Sequence, residues 1–139
     1  MSEGFGLFVY GTLRFPEILR ILLGRAPGLS SARADGWRVR ALPDLVYPGL
    51  VAAPDGVAEG MLITDLTTAE SRLLDAYEND IYVPTVIGLD KGRRGRAYVW
   101  KGPVEPFDWD PDAFAEHHLT SYAEGCRLWR RDHERRTAP

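Results

Sequence analysis

Phe8-Val9-Tyr10-Gly11-Thr12-Leu13-Arg14 is the stretch on which the reading of this chain turns. It closes an apolar run, Phe5 to Tyr10 broken only by Gly6, whose composition predicts a buried strand. The strand stops at a glycine followed by a hydroxyl residue, and a helical pattern begins almost at once at Pro16. A strand that ends in a small-residue turn leaves backbone N–H groups unpaired and pointing one way. Such a turn can hold a carboxylate, or a carbonyl oxygen that is gaining charge. Gly11 permits close approach and Thr12 adds a hydroxyl donor. An ordinary strand-to-helix turn without a ligand is the alternative, since glycine punctuates most such junctions.

Working outward, Pro16 to Leu23 predicts a short helix, with proline tolerated in its first turn and Gly24 as its stop. The second half of Leu29 to Leu42 partly alternates and predicts a strand. Tyr47-Pro48-Gly49 predicts a tight turn leading into Leu50-Val51, and Pro54-Asp55-Gly56 predicts another turn. Val57 to Asp65 reads as a strand, in which Gly60 marks a bulge or a close backbone approach. Thr67 to Tyr77 carries capping-box spacing at Thr67 and Glu70, with Leu66, Leu73, Leu74 and Tyr77 on one apolar face. Asn79-Asp80 breaks that helix. Tyr82 to Leu89 and Arg96 to Lys101 predict a hairpin around Asp90-Lys91-Gly92-Arg93. A last, longest helix is capped by Asp110, with Pro111 at its first position. Phe114, His118, Tyr122, Cys126 and Trp129 form one stripe on it, expected to pack against a sheet.

Strands with inserted short helices and a long C-terminal helix predict an α+β fold with a mixed sheet, either strongly curved or nearly closed into a small barrel. The 139 residues suit one domain, 1–139, able to bury roughly two thirds of its unfolded surface. A net charge of −3 with late arginines that suit the helix dipole argues against nucleic acid as a partner. Apolar runs fall short of the roughly 20 residues of a membrane span. Met1-Ser2-Glu3-Gly4 carries no export pattern, so the expected location is the cytoplasm. The one cysteine, Cys126, cannot form an internal disulfide.

Glu78 is the second site of interest. It ends the helix whose apolar face carries Leu74 and Tyr77, so partial desolvation would raise its pKa and make it a proton acceptor. A solvated glutamate ending a helix is the alternative. Asp75 lies three positions earlier, but no sugar cleft suggests a carboxylate-pair glycosidase. His117 and His118 point about 100° apart on a helix and cannot easily share a metal; His118 reads as a hydrogen-bonded core residue, and no metal site is expected. Trp37, Trp100, Trp109 and Trp129 could line a pocket or fill the core.

Together, Phe8 to Arg14, Tyr47-Pro48-Gly49-Leu50, Gly60, Leu74-Asp75-Ala76-Tyr77-Glu78 with Tyr82 four positions on, and Ala97-Tyr98-Val99-Trp100 resemble the gamma-glutamylcyclotransferase-like family. The likeness is to its avirulence-induced and gamma-glutamylamine cyclotransferase-like branches. It covers nearly the whole chain. It implies a small mixed β-barrel or curved sheet with a cavity at one side. Tyr10, Gly11, Thr12 and Leu13 would form the substrate-holding loop, with Tyr82 beside it, and Glu78 matches the catalytic glutamate. Two positions after the tyrosine matching Tyr82, many members carry an arginine; here that residue is Pro84.

The resemblance implies an acyltransferase of glutathione-related metabolism. It would act on a small γ-glutamyl substrate, without metal or nucleotide cofactor, as a monomer or homodimer. Glu78 would take a proton from the substrate α-ammonium, and the freed amine would attack the γ-carbonyl. 5-Oxoproline and a free amine or amino acid would leave. A non-catalytic protein holding a small acidic metabolite in the same cavity is the other reading.

Overall fold

The computed structural model describes residues 5–78 and 81–137. Strand β1 (Gly6–Val9) is central. It pairs antiparallel with β3 (Gly49–Ile63) and parallel with β5 (Arg94–Trp100), while β2 (Ser30–Arg40) and β4 (Tyr82–Gly88) complete the order β2-β3-β1-β5-β4. The two faces of β1 feed two cores. Leu7 and Val9 join the helix-side core with Ile18, Leu19, Leu22 and Leu74. Phe8 and Tyr10 join Leu50, Leu62, Ala97 and Val99 inside the curl. Burial on both faces is why the strand reads as a continuous apolar run rather than an alternation.

The sheet curls without closing. Along its second half β3 runs antiparallel to β1, which is itself parallel to β5, yet near its start Leu50 pairs parallel with Val99 of β5. A strand can run both ways against one neighbour only if the sheet folds over. Ladder bonds do not join β2 to β4. Side chains tie the gap instead: Asp90 Oδ1 accepts from the Arg33 N–H at 2.9 Å, and Arg93 donates to the Ser31 carbonyl at 3.0 Å.

The fold-over has a local cause that corrects one expectation. Pro54-Asp55-Gly56 does not separate two strands, because β3 continues through it. Asp35 pairs with Val57 and Trp37 with Ala52, so residues 53–56 bulge opposite Gly36 alone, which takes φ +87°. The turn signals were real, but they shape a bulge that bends the strand. Likewise β2 spans all of Ser30–Arg40, not only the second half of its region. Gly60 makes the close approach: a Cβ there would lie 2.5 Å from the Val9 carbonyl oxygen.

Helix α1 (Pro16–Leu23) follows a 3-10 turn at Thr12–Arg14. Helix α2 (Thr68–Tyr77) carries the capping box in full, Thr67 with Glu70. Arg25 grips the same Glu70 at 2.7 and 2.8 Å and, with the box, holds its carboxyl down at about 2. The expected break at Asn79-Asp80 lies outside the described residues, as does Met1 to Gly4.

The terminal helix is two helices, α3 (Pro111–His117) and α4 (Leu119–Thr137), with the break at His118. Asp110 caps α3 as expected, its carboxylate accepting from the N–H groups of Asp112 and Ala113. His118 is exposed rather than buried, because the break turns it off the stripe. The remaining stripe meets helices more than sheet. Arg130 donates to the Leu22 carbonyl at the end of α1 at 2.9 Å, and Trp129 packs edge-on against Tyr77 of α2, ring centroids 5.1 Å apart.

Candidate active site

Beyond Val9, β3 and β5 pair with each other at Leu50 and Val99, so β1 has no room to continue in the sheet. The chain leaves through Tyr10 and Gly11 into the 3-10 turn. Gly11 abuts Pro48, whose Cγ would stand 2.8 Å from a Cβ at this position. Arg14 and Phe15 N–H groups bond back to the Gly11 and Thr12 carbonyls, at 3.1 and 3.3 Å. The N–H groups of Gly11, Thr12 and Leu13 therefore have no partner within the turn.

A cavity of about 280 Å³ opens at this turn. Its wall includes Tyr10, Gly11, Thr12 and Leu13 of this turn together with Glu78 and Tyr82. The structure thus brings together every site residue singled out from the sequence. The volume lies near the small end of ligand cavities, roughly 300–1,000 Å³, and suits a small metabolite.

Glu78 caps the C-terminus of α2, its N–H bonded to the Leu74 carbonyl at 3.1 Å. Its side chain is half-buried. Burial first, and the nearby Asp75 second, push its pKa up to about 8. It is the only carboxylate among the described lining residues, and no Lys, Arg or His lines the cavity with it.

What the sequence reading did not find is the tyrosine shell. All six tyrosines of the chain line this cavity, and none of the four tryptophans does. Tyr10 OH donates to the Tyr98 carbonyl, Tyr82 OH to the Pro48 carbonyl, and Tyr98 OH to Asp75 Oδ1. Tyr77 OH donates to Tyr122 OH at 2.8 Å and lies 3.3 Å from Cys126 Sγ. Burial raises the pKa of Tyr10, Tyr77, Tyr82, Tyr98 and Tyr122, so these phenols stay protonated while Glu78 titrates. The tyrosines come from six separate places in the sequence. No local spacing announces their convergence.

Asp75 sits one turn before Glu78 and accepts from Tyr98 OH and, at 3.2 Å, from Arg96. It ties the end of α2 to β5. Tyr98 in turn receives Tyr10 OH on its carbonyl, so one residue links the glycine turn to the helix that carries the acid. Pro84 is exposed on edge strand β4, where a missing N–H is tolerated.

Several known proteins share this architecture. "AIG2-like protein C" of Arabidopsis thaliana is 29% identical over 134 residues, covering 91% of this chain and 78% of that protein. A solution structure from Arabidopsis thaliana superimposes with TM-score 0.68 at 24% identity, over 100% of this chain and 87% of that one. A structure described as "Gamma-glutamyl cyclotransferase" superimposes with TM-score 0.57 at 12% identity, over 88% and 86% of the two chains. At these identities the structural likenesses show the fold, an α+β arrangement with a curled sheet. Residues 7–119 match the sequence model of the family "Gamma-glutamyl cyclotransferase, AIG2-like", and the chain belongs to that family.

Proposed function

We propose that this protein cyclises a γ-glutamyl amide, releasing 5-oxoproline and a free amine or amino acid. The observation that carries the reading is a single carboxyl, partly desolvated so that it holds its proton more tightly than usual, lining one small cavity with a turn whose N–H groups are not used within the turn itself. A γ-glutamyl amide brings its own nucleophile, the α-amine, which sits beside a free α-carboxylate and so titrates above the roughly 8 of a peptide α-amine. A glutamate raised to about 8 lies much closer to that amine than an ordinary carboxylate does, which favours general-base catalysis.

Glu78, ionised, takes the proton from the substrate α-ammonium. The amine attacks the γ-carbonyl carbon and closes a five-membered ring. Negative charge gathers on the carbonyl oxygen, and the N–H groups of Gly11, Thr12 and Leu13 supply donors for it or for the substrate carboxylate. Protonated Glu78 then gives its proton to the departing nitrogen as the amide C–N bond breaks, and the carboxylate so regenerated takes the second proton of the ring nitrogen, leaving the neutral lactam and passing that proton on to the released amine or to water. The cavity holds the chain folded, so the attack has the advantage of proximity. Tyr10 and Tyr82 keep their hydroxyls on backbone carbonyls and shape the wall beside the acid. The chain 1–139 acts as one domain in this reading.

The productive pair of enzyme and substrate shares one proton in total. kcat/KM should rise as Glu78 ionises and fall as the free substrate amine loses its proton, giving a bell whose acid limb lies near pH 8 and whose alkaline limb lies above it. Asp75→Asn tests the electrostatics: it keeps an oxygen for Tyr98 but removes the charge that helps raise Glu78. The acid limb of kcat/KM is expected to move to lower pH, and it stays above the ordinary glutamate range because burial is the larger cause.

The direct experiment is a screen of γ-glutamyl amines and dipeptides for 5-oxoproline release. Calorimetric binding of these compounds with no product from any of them would replace the enzyme with a metabolite-binding protein.

A further inference from the structure

A second hollow, about 340 Å³, lies on the α4 side of the site and is lined by Val46, His118, Ser121, Gly125 and Cys126. It shares Tyr77 and Tyr122 with the first cavity. Those two phenols are hydrogen-bonded to each other at 2.8 Å. They form a two-ring partition between the hollows.

Resting on the γ-glutamyl reading above, we propose that Tyr122 is the specificity-determining residue of this site. Its ring limits the length of the leaving amine, and the hollow behind it is the space a longer amine would need.

The two halves of the partition are held differently. Tyr77 precedes Glu78 and is gripped by α4, with Cys126 Sγ at 3.3 Å and the Trp129 ring edge-on at 5.1 Å. Tyr122 rests on Phe114, centroids 5.5 Å apart, and makes a long 3.5 Å contact with the Thr12 hydroxyl. A change at Tyr122 therefore opens the partition and leaves the packing of Tyr77 on Trp129 in place. Tyr122 also lies beyond residue 119, where the match to the family's sequence model ends.

The space beyond is open. A Cβ added at Gly125 would meet nothing within 4 Å. No Lys or Arg lines the hollow. A carboxylate entering it would lose water without gaining a guanidinium or ammonium partner, whereas an aryl-alkyl arm would meet Val46 and the remaining aromatic edge. The compounds admitted once the wall is cut back are γ-glutamyl amides of arylalkyl amines.

Binding and turnover are read separately. γ-Glutamyl-methylamide and γ-glutamyl-phenethylamide are titrated calorimetrically into Glu78→Gln protein with and without Tyr122→Ala. The expected result is at least a tenfold gain in the affinity ratio of bulky over small amide when Tyr122 is truncated. Tyr122→Phe, which keeps the ring and loses the hydroxyl, should leave that ratio where it was. If Tyr122→Ala does not fold, Tyr122→Leu carries the same comparison with a smaller gain. An unchanged ratio in the truncated protein, or no binding of either amide to any variant, overturns the inference. The expected ratio with no 5-oxoproline from protein retaining Glu78 overturns the cyclotransferase reading and leaves the partition standing.

Discussion

Glu78→Gln is expected to lower 5-oxoproline release by about 10²–10⁴-fold, the range for loss of a positioned acid–base group. Gln keeps the shape of the protonated side chain but can neither take nor return the proton. Affinity for a γ-glutamyl amide should change far less than turnover, since the turn N–H groups and tyrosine walls remain. Activity of the variant within a few-fold of the parent would remove Glu78 from the mechanism.

The same substitution is expected to stabilise the fold at alkaline pH. Glu78 has an ordinary pKa of 4.5 when unfolded and about 8 when folded, raised by burial and then by Asp75. Between those values the folded state binds more protons than the unfolded state, so stability from this group is present below about pH 4.5 and is lost as pH rises through 8. The full shift corresponds to a ceiling of about 4–5 kcal/mol, and solvent reaching the half-buried side chain reduces the expected gain for Gln to roughly 1–3 kcal/mol at pH 9. Below about pH 4.5 both proteins carry a neutral side chain there in the folded and in most of the unfolded state, and their melting temperatures should coincide. Thermal melts at about pH 4 and pH 9 check both halves. A variant less stable than the parent at pH 9 would mean that the carboxylate is a stabilising charge rather than a desolvated acid.

Both halves of the site were legible as local patterns. A strand ending in Tyr10-Gly11-Thr12 leaves turn N–H groups open wherever the sheet goes, and a glutamate that follows an apolar helix face ending in Tyr77 is bound to be near the core. Their meeting needed the curl of the sheet, which the sequence records only indirectly. Pro54-Asp55-Gly56 obeys the rules for a turn between strands, yet the pairing of Ala52 and Val57 with the same β2 strand turns it into a bulge. Long-range pairing outweighed a local signal. The stripe on the terminal helices shows the same limit. Periodicity names the face that is buried, but Tyr122 and Cys126 meet Tyr77 because α1 and α2 cover that side of the sheet. His118 held the four-residue spacing and still fell outside, because the helix breaks there. The tyrosine shell had no periodicity to read: Tyr47 comes from a loop and Tyr10 from a strand end.

Gly60→Ala is the other change with a large expected effect, and it probes how the fold holds the site. The added Cβ would stand 2.5 Å from the Val9 carbonyl oxygen and 3.0 Å from the Phe8 ring. The nearest atom is backbone, in a central strand buried on both faces, so it cannot swing aside as the end of a side chain can. Overpacking of this kind costs about 1–3 kcal/mol, and the strand must move for the methyl group to fit. Val9 is the last residue of β1, and the N–H groups of the Gly11–Leu13 turn follow directly. Displacing Val9 therefore displaces the donors relative to Glu78, which α2 holds through the Asp75–Arg96 pair and the Arg25–Glu70 grip. A loss of about 1 Å in alignment costs on the order of 10²-fold in rate. The expected result is a lowered melting temperature together with a fall in kcat, measured well below that temperature, larger than the loss of folded protein explains. A variant that is destabilised but retains full kcat per folded molecule would show that the turn is positioned by Pro48 and the cavity wall rather than by the end of β1.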